Sequence, residues 1–124
     1  MIIADIISYV DGVLLSPCAN LDTNIKGGFS GDLMSDVLAS IQSESLLITG
    51  LSNPQVVRTA LIADVRLIIL ARGKKPSQDT INLAVAEQLP IVASKLGLYE
   101  ISARLANHGL PSCEIPMDRP FDLA

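Results

Sequence analysis

Apolar residues in this chain follow two rhythms. Leu33, Met34, Val37, Leu38 and Ile41 recur at helical spacing, with Asp32, Ser35, Asp36 and Ser40 on the other side. That pattern predicts an amphipathic helix over 33–41 whose apolar stripe faces a core. Ile3, Ile6 and Ile7 repeat the period within 2–9. From Ser45 onward the rhythm changes. "SLLIT" (45–49), "VRLIIL" (65–70) and "PIVAS" (90–94) are short apolar runs bounded by turn residues, the mark of strands buried on both faces. Helical stretches separate them. One runs from Pro54 to about Ala63 with Asn53 as N-cap. Another is capped by Ser77 and extends through Gln88. The last spans roughly Leu96–His108 and is stopped by Gly109.

Strand, helix, strand, helix, strand, helix over 45–108 predicts βαβ units. The expected architecture is a single α/β domain. Its sheet is largely parallel, with helices on both faces, and the βαβ units fill the C-terminal two-thirds. Before them, "DGVLLS" (11–16) reads as a turn and strand, and 17–24 as a loop. "IKGGF" (25–29) reads as a short strand ending at its glycines. Residues 1–110 form the expected domain. Residues 111–124, with three prolines, form a tail that is either docked or loose.

Bulk properties narrow the function. Hydrophobic residues make up 49% of 124 positions but aromatics only 3%, so aliphatic side chains must fill the core. Such an apolar fraction in a small chain leaves surface for a second copy, and we expect a homodimer. The net charge of −4 and the lack of a basic stripe argue against nucleic acid. The apolar N-terminus is too short for a membrane span, and Asp5 interrupts it. Cys18 and Cys113 lack metal-ligand spacing and are expected to be free thiols of a cytoplasmic protein.

Three stretches carry candidate chemistry. "GGFSGDLMSDVL" (27–38) places glycines before two acids. It lacks the Gly-Lys-Ser/Thr ending of a phosphate loop, so the glycines read as a turn and Asp32 as a helix cap. Asp32 and Asp36 as an acid/base pair would make the chain an enzyme acting on a phosphorylated metabolite. No partner histidine or cysteine supports that alternative, and no catalytic, metal or cofactor residue is assigned. His108 fits a helix C-terminus. The third stretch is the set of loops after the strands, because open α/β sheets bind ligands beyond the carboxyl ends of their strands. Those loops carry Thr49, Ser52, Asn53, Arg72, Lys74, Ser94 and Lys95. Together they suit an anionic or phosphorylated small molecule. The alternative is a scaffold that binds a partner protein and no small molecule.

Gly31-Asp32-Leu33-Met34-Ser35-Asp36-Val37, Ser52-Asn53 opening a helix, Arg72-Gly73-Lys74-Lys75-Pro76 before the next helix, and Ile91 to Ser94 occur in an order that resembles the DRTGG domain family. The likeness covers about residues 2–110. The chain is similar to stand-alone members and to the N-terminal domain of bacterial HPr kinase/phosphorylase. Asn24-Ile25-Lys26-Gly27-Gly28 stands where the family's five-letter signature falls and keeps only its glycines. The resemblance implies a non-catalytic α/β domain for dimerisation and regulatory ligand sensing. Relatives found beside iron-only hydrogenase-type genes imply an accessory role in a metabolic or redox system.

Overall fold

The unbroken apolar runs form the middle of the sheet. The computed structural model describes residues 1–17 and 20–117. In chain order the elements are α1 (Ile3–Tyr9), β1 (Val13–Leu14), β2 (Gly27–Ser30), α2 (Met34–Ser40), β3 (Ser45–Thr49), α3 (Pro54–Ile62), β4 (Val65–Leu70), α4 (Gln78–Ala86), β5 (Ile91–Ala93) and α5 (Leu98–Asn107). The sheet order is β1-β5-β4-β3-β2. Strands β2 to β5 run parallel, and the short β1 pairs antiparallel with β5.

The strands carry aliphatic side chains on both faces because both faces are covered. On one side Leu47, Ile68 and Ile91 meet Val37 of α2, Val56, Val57 and Ala60 of α3, and Ala84 of α4. On the other, Leu46, Ile48, Leu67, Ile69 and Val92 meet Ile3 and Ile6 of α1 and Ile101 and Leu105 of α5. Each fully buried aliphatic side chain contributes about 1.5–3 kcal/mol by leaving water. This is the α/β fold that the alternating rhythm predicts, with helices on both faces.

Two local readings change in the first third. The segment 25–29 does not end at its glycines. Gly27 and Gly28 begin β2 and pair with Ser45 and Leu46. Neither they nor Gly31 has a positive φ, so they are not there for a turn. Gly27 is needed for close approach. A methyl group there would lie 2.8 Å from Cys113 Cβ and 3.0 Å from the Pro111 carbonyl oxygen.

The second change concerns α2. Asp32 does not cap it: the N-cap position is Leu33, without a side-chain bond. Helix α2 is also shorter than the apolar stripe suggests. Val37 is buried, but Leu33 is 61% exposed and Leu38 47%.

The chain after α5 docks. Gly28 N donates to Pro111 O (2.9 Å), Cys113 N to Gly28 O (3.0 Å), and Gln42 N to Cys113 O (2.9 Å). Residues 110–115 thus cover the β2 edge of the sheet, which would otherwise present unpaired backbone groups. Cys18 and residues 118–124 lie outside the described residues, as does the expectation of a free thiol at Cys18.

Candidate functional site

Parallel strands β2 to β5 end on one edge, and the loops leaving β3, β4 and β5 are laced together there. Thr49 and Leu70 are register partners. Beyond them, Ala71 N donates to Thr49 O (2.9 Å), and Ser94 N to Leu70 O (2.9 Å). Arg72 N donates to Leu96 O (2.8 Å) and Gly73 N to Ser94 O (2.7 Å). These bonds fix the loop 71–75 against the loop 94–97. Arg72 takes a left-handed φ of 59° to make them, with Gly73 at 66°. Such conformations cost non-glycine residues free energy and persist where surrounding bonds impose them.

The seven residues expected at this edge divide into a floor and a rim. Thr49 is fully buried; its Oγ1 donates to Asp32 Oδ1 (2.9 Å) and accepts from Leu51 N (3.2 Å). Ser94 is buried, and its Oγ donates to Val10 O (2.7 Å) while accepting from Leu96 N (3.2 Å). Both hydroxyls therefore hold the loops in shape. The Ser52 carbonyl accepts from Thr80 Oγ1 (2.9 Å), tying the start of α3 to α4. Asn53 stands at the N-cap of α3 with no side-chain cap bond, so its amide is free to meet solvent or a ligand.

Arg72, Lys74 and Lys95 form the exposed rim. The ion pairs among the described residues involve Lys26, Arg66 and Arg104, and none of the three rim cations. Arg72 lies across the start of α5: Nη1 is 3.8 Å from where a Cβ of Gly97 would stand. Gly97 is the N-cap of α5 and offers no side chain to the free N–H groups there. A guanidinium thus sits beside the positive end of a ten-residue helix, and the acid of that first turn, Glu100, pairs with Arg104 (3.0 Å). Sequence reasoning found Arg72 but missed Gly97. The signal was a glycine directly before an apolar helical repeat in "KLGLYE".

Asp32 is the acid of this edge. Its Oδ1 accepts from Thr49 Oγ1 and from Gly50 N (2.8 Å), which ties the β2–α2 turn to the β3–α3 turn. Asp36 falls in the first turn of α2 and is not bonded to Asp32. His108 is at the C-cap of α5. Its Nδ1 lies 2.8 Å from Arg104 O, and its ring stacks on Tyr9 at 3.7 Å. Among the described residues, no three His, Cys, Asp or Glu side chains gather as a metal site would require. No helix among them is long and apolar enough to cross a membrane. A separate groove of about 270 Å³ lies between α5, β2 and the docked tail, with Ser30, Ile48, Ser102 and Leu110 in its wall.

No curated protein matches the chain. Among solved structures, it is similar to the CBS and DRTGG domains of the regulatory region of Clostridium perfringens pyrophosphatase, complexed with the activator diadenosine tetraphosphate. The TM-score is 0.64 at 16% identity, which is a likeness of fold. The match covers 87% of this chain and 46% of the other, so the chain spans about half of that regulatory region. The DRTGG domain model matches residues 5–108, and on that match the chain belongs to the DRTGG domain family.

Proposed function

We propose that the chain is a non-catalytic regulatory domain that senses an anionic small molecule at the carboxyl edge of its sheet. The observation that carries this reading is Arg72 lying across the uncapped start of α5 with no acid partner. An anion placed there would accept from the guanidinium fork and from the free N–H groups of the helix at once. Lys74 and Lys95 add positive charge, and Asn53 an amide donor. Thr49, Ser52 and Ser94 hold the loops. A regulatory region that contains a DRTGG domain and is complexed with a phosphate-rich activator supports the regulatory part of the reading.

The protein would act as a homodimeric accessory module, of the cytoplasmic metabolic or redox kind that stand-alone relatives imply. The dimer surface we favour is the outer strip of α5, where Tyr99 is 87% exposed and Ala106 is exposed beside it. A thermal-shift screen with nucleotides and phosphorylated metabolites comes first, since a ligand of the folded state must raise its stability. Calorimetry then compares wild type with Arg72→Ala. The loss of a charged hydrogen bond should weaken binding by about 1.5–3 kcal/mol with the fold retained. Equal affinities would refute the site.

A further inference from the structure

We propose that Asp32 reads a hydroxyl group on the ligand, so that the domain selects phosphorylated compounds of the sugar-phosphate type over simple phosphate esters. This rests on the anion site described above and adds a second pole to it. The edge is not uniformly positive. The rim cations follow β4 and β5, whereas Asp32 follows β2 and is fastened to the end of β3.

The way Asp32 is held decides its role. Two donors, Thr49 Oγ1 at 2.9 Å and Gly50 N at 2.8 Å, converge on Oδ1. Oδ2 meets no donor among the described residues, and the residue is exposed. Oδ2 also lies close over Gly50, 3.6 Å from where a Cβ would stand there. The carboxylate is therefore oriented at one oxygen and open at the other. An oriented acceptor recognises a donor with little ordering cost. An anion is the wrong partner for it, and a lone carboxylate oxygen makes a poor metal site without further ligands.

The spacing fits a short bifunctional molecule. Strands β3, β4 and β5 are successive neighbours, so two strand spacings, roughly 10 Å, separate the outer pair. Arg72 leaves the middle strand and leans toward the start of α5. A phosphate held there would stand on the order of two strand spacings from Asp32, a span that a pentose could bridge. A neutral hydroxyl at the far end would donate to Oδ2, while the phosphate stays at the positive pole. A site built around such a hydrogen bond rejects analogues that lack the donor.

The test titrates the full chain with ribose 5-phosphate and with methyl phosphate, in EDTA so that no divalent cation bridges the acid and the phosphate. Wild type should prefer ribose 5-phosphate by about five- to tenfold. Asp32→Asn keeps the Oδ1 acceptor and the tie to Thr49 and Gly50, yet turns the open oxygen into an amide. The preference should fall in this variant and vanish in Asp32→Ala, with methyl phosphate affinity unchanged or higher. Arg72→Ala should weaken both ligands together. Equal binding of the two esters by wild type overturns the role of Asp32 and leaves the anion site standing. Equal losses for both esters in Asp32→Asn do the same, because they mark a purely structural tie. Failure of both esters to bind wild type overturns this inference and the site beneath it.

Discussion

Gly27→Ala should release the C-terminal strap from the sheet. The added methyl would stand 2.8 Å from Cys113 Cβ, 3.0 Å from Pro111 O and 3.1 Å from Cys113 N. These atoms belong to the backbone or adjoin it, so no rotamer change relieves the clash. The strap must move, and its bonds to Gly28 at 2.9 and 3.0 Å go with it. Each contributes about 0.5–1.5 kcal/mol net. Displacement also uncovers Cys113, now 4% exposed, and loosens the buried Leu110, which adds about 1–2 kcal/mol. Against this, replacing glycine restricts the unfolded chain and returns about 0.4–1 kcal/mol. The net expectation is a loss of about 2–3 kcal/mol in urea unfolding.

A second readout locates the change. Burial pushes the Cys113 thiol above its ordinary pKa, so its reactive thiolate is scarce as well as covered. In a Cys18→Ser background, a thiol reagent should modify wild-type Cys113 slowly and the Gly27→Ala protein fast, under conditions where both stay folded. A variant within about 0.5 kcal/mol of wild type, with Cys113 still protected, would show that the strap yields without leaving and would refute the reasoning.

Glu44 is held below the ordinary carboxylate range, first by its hydrogen bond from Lys26, with Arg66 at 3.0 Å adding to it. A lowered pKa gives stability that is present above the unfolded value and lost as pH falls through the folded one. Glu44→Gln should therefore be the less stable protein at neutral pH, with the gap closing in acid and shrinking in high salt; a gap independent of pH between 3 and 7 would contradict the pairing (roughly the range over which carboxylates titrate). Tyr99→Asp places a charge on the exposed strip of α5 and should convert a dimer to a monomer in light scattering, whereas a wild-type monomer at micromolar concentration would remove the dimer altogether.

How much of this was legible differs along the chain. The runs 45–49 and 65–70 emerge as β3 and β4 to the residue, because an unbroken aliphatic run flanked by turn residues has few other uses in a parallel sheet. The Ser77 cap is real, with its side chain accepting from Thr80 N, and Gly109 ends the last helix region at φ 96°. The misreadings cluster where tertiary contact overrides local pattern. Gly27 looked like turn chemistry because the sequence does not reveal that Cys113 returns to lie against it. Asp32 looked like a cap because an acid before a helical repeat usually is one. It is instead bonded to residues 17 and 18 positions onward, which no local rule anticipates.

The missing family signature bears on the site through position. Asn24 and Ile25 stand where the charged signature residues would fall and Lys26 where its threonine would, and all three precede β2. Strand β2 runs parallel to β3, so these positions lie at the amino edge of the sheet, opposite the rim of Arg72, Lys74 and Lys95. What occupies them here is scaffolding. Asn24 Oδ1 accepts from the N-terminal amine at 2.7 Å, and Lys26 pairs with Glu44 while its N–H donates to Glu44 O at 2.8 Å. The glycines that do survive admit the strap: Gly27 through the space it leaves for Cys113, Gly28 through both of its backbone bonds. A ligand at the carboxyl edge would contact none of the substituted positions. Losing the charged letters of the signature therefore leaves the cation rim, the start of α5 and the Asp32 tie unaltered. Restoring charges at 24 and 25 would act on the contact of Asn24 with the N-terminal amine and on the buried side chain of Ile25, at the amino edge, a stability effect separable from binding.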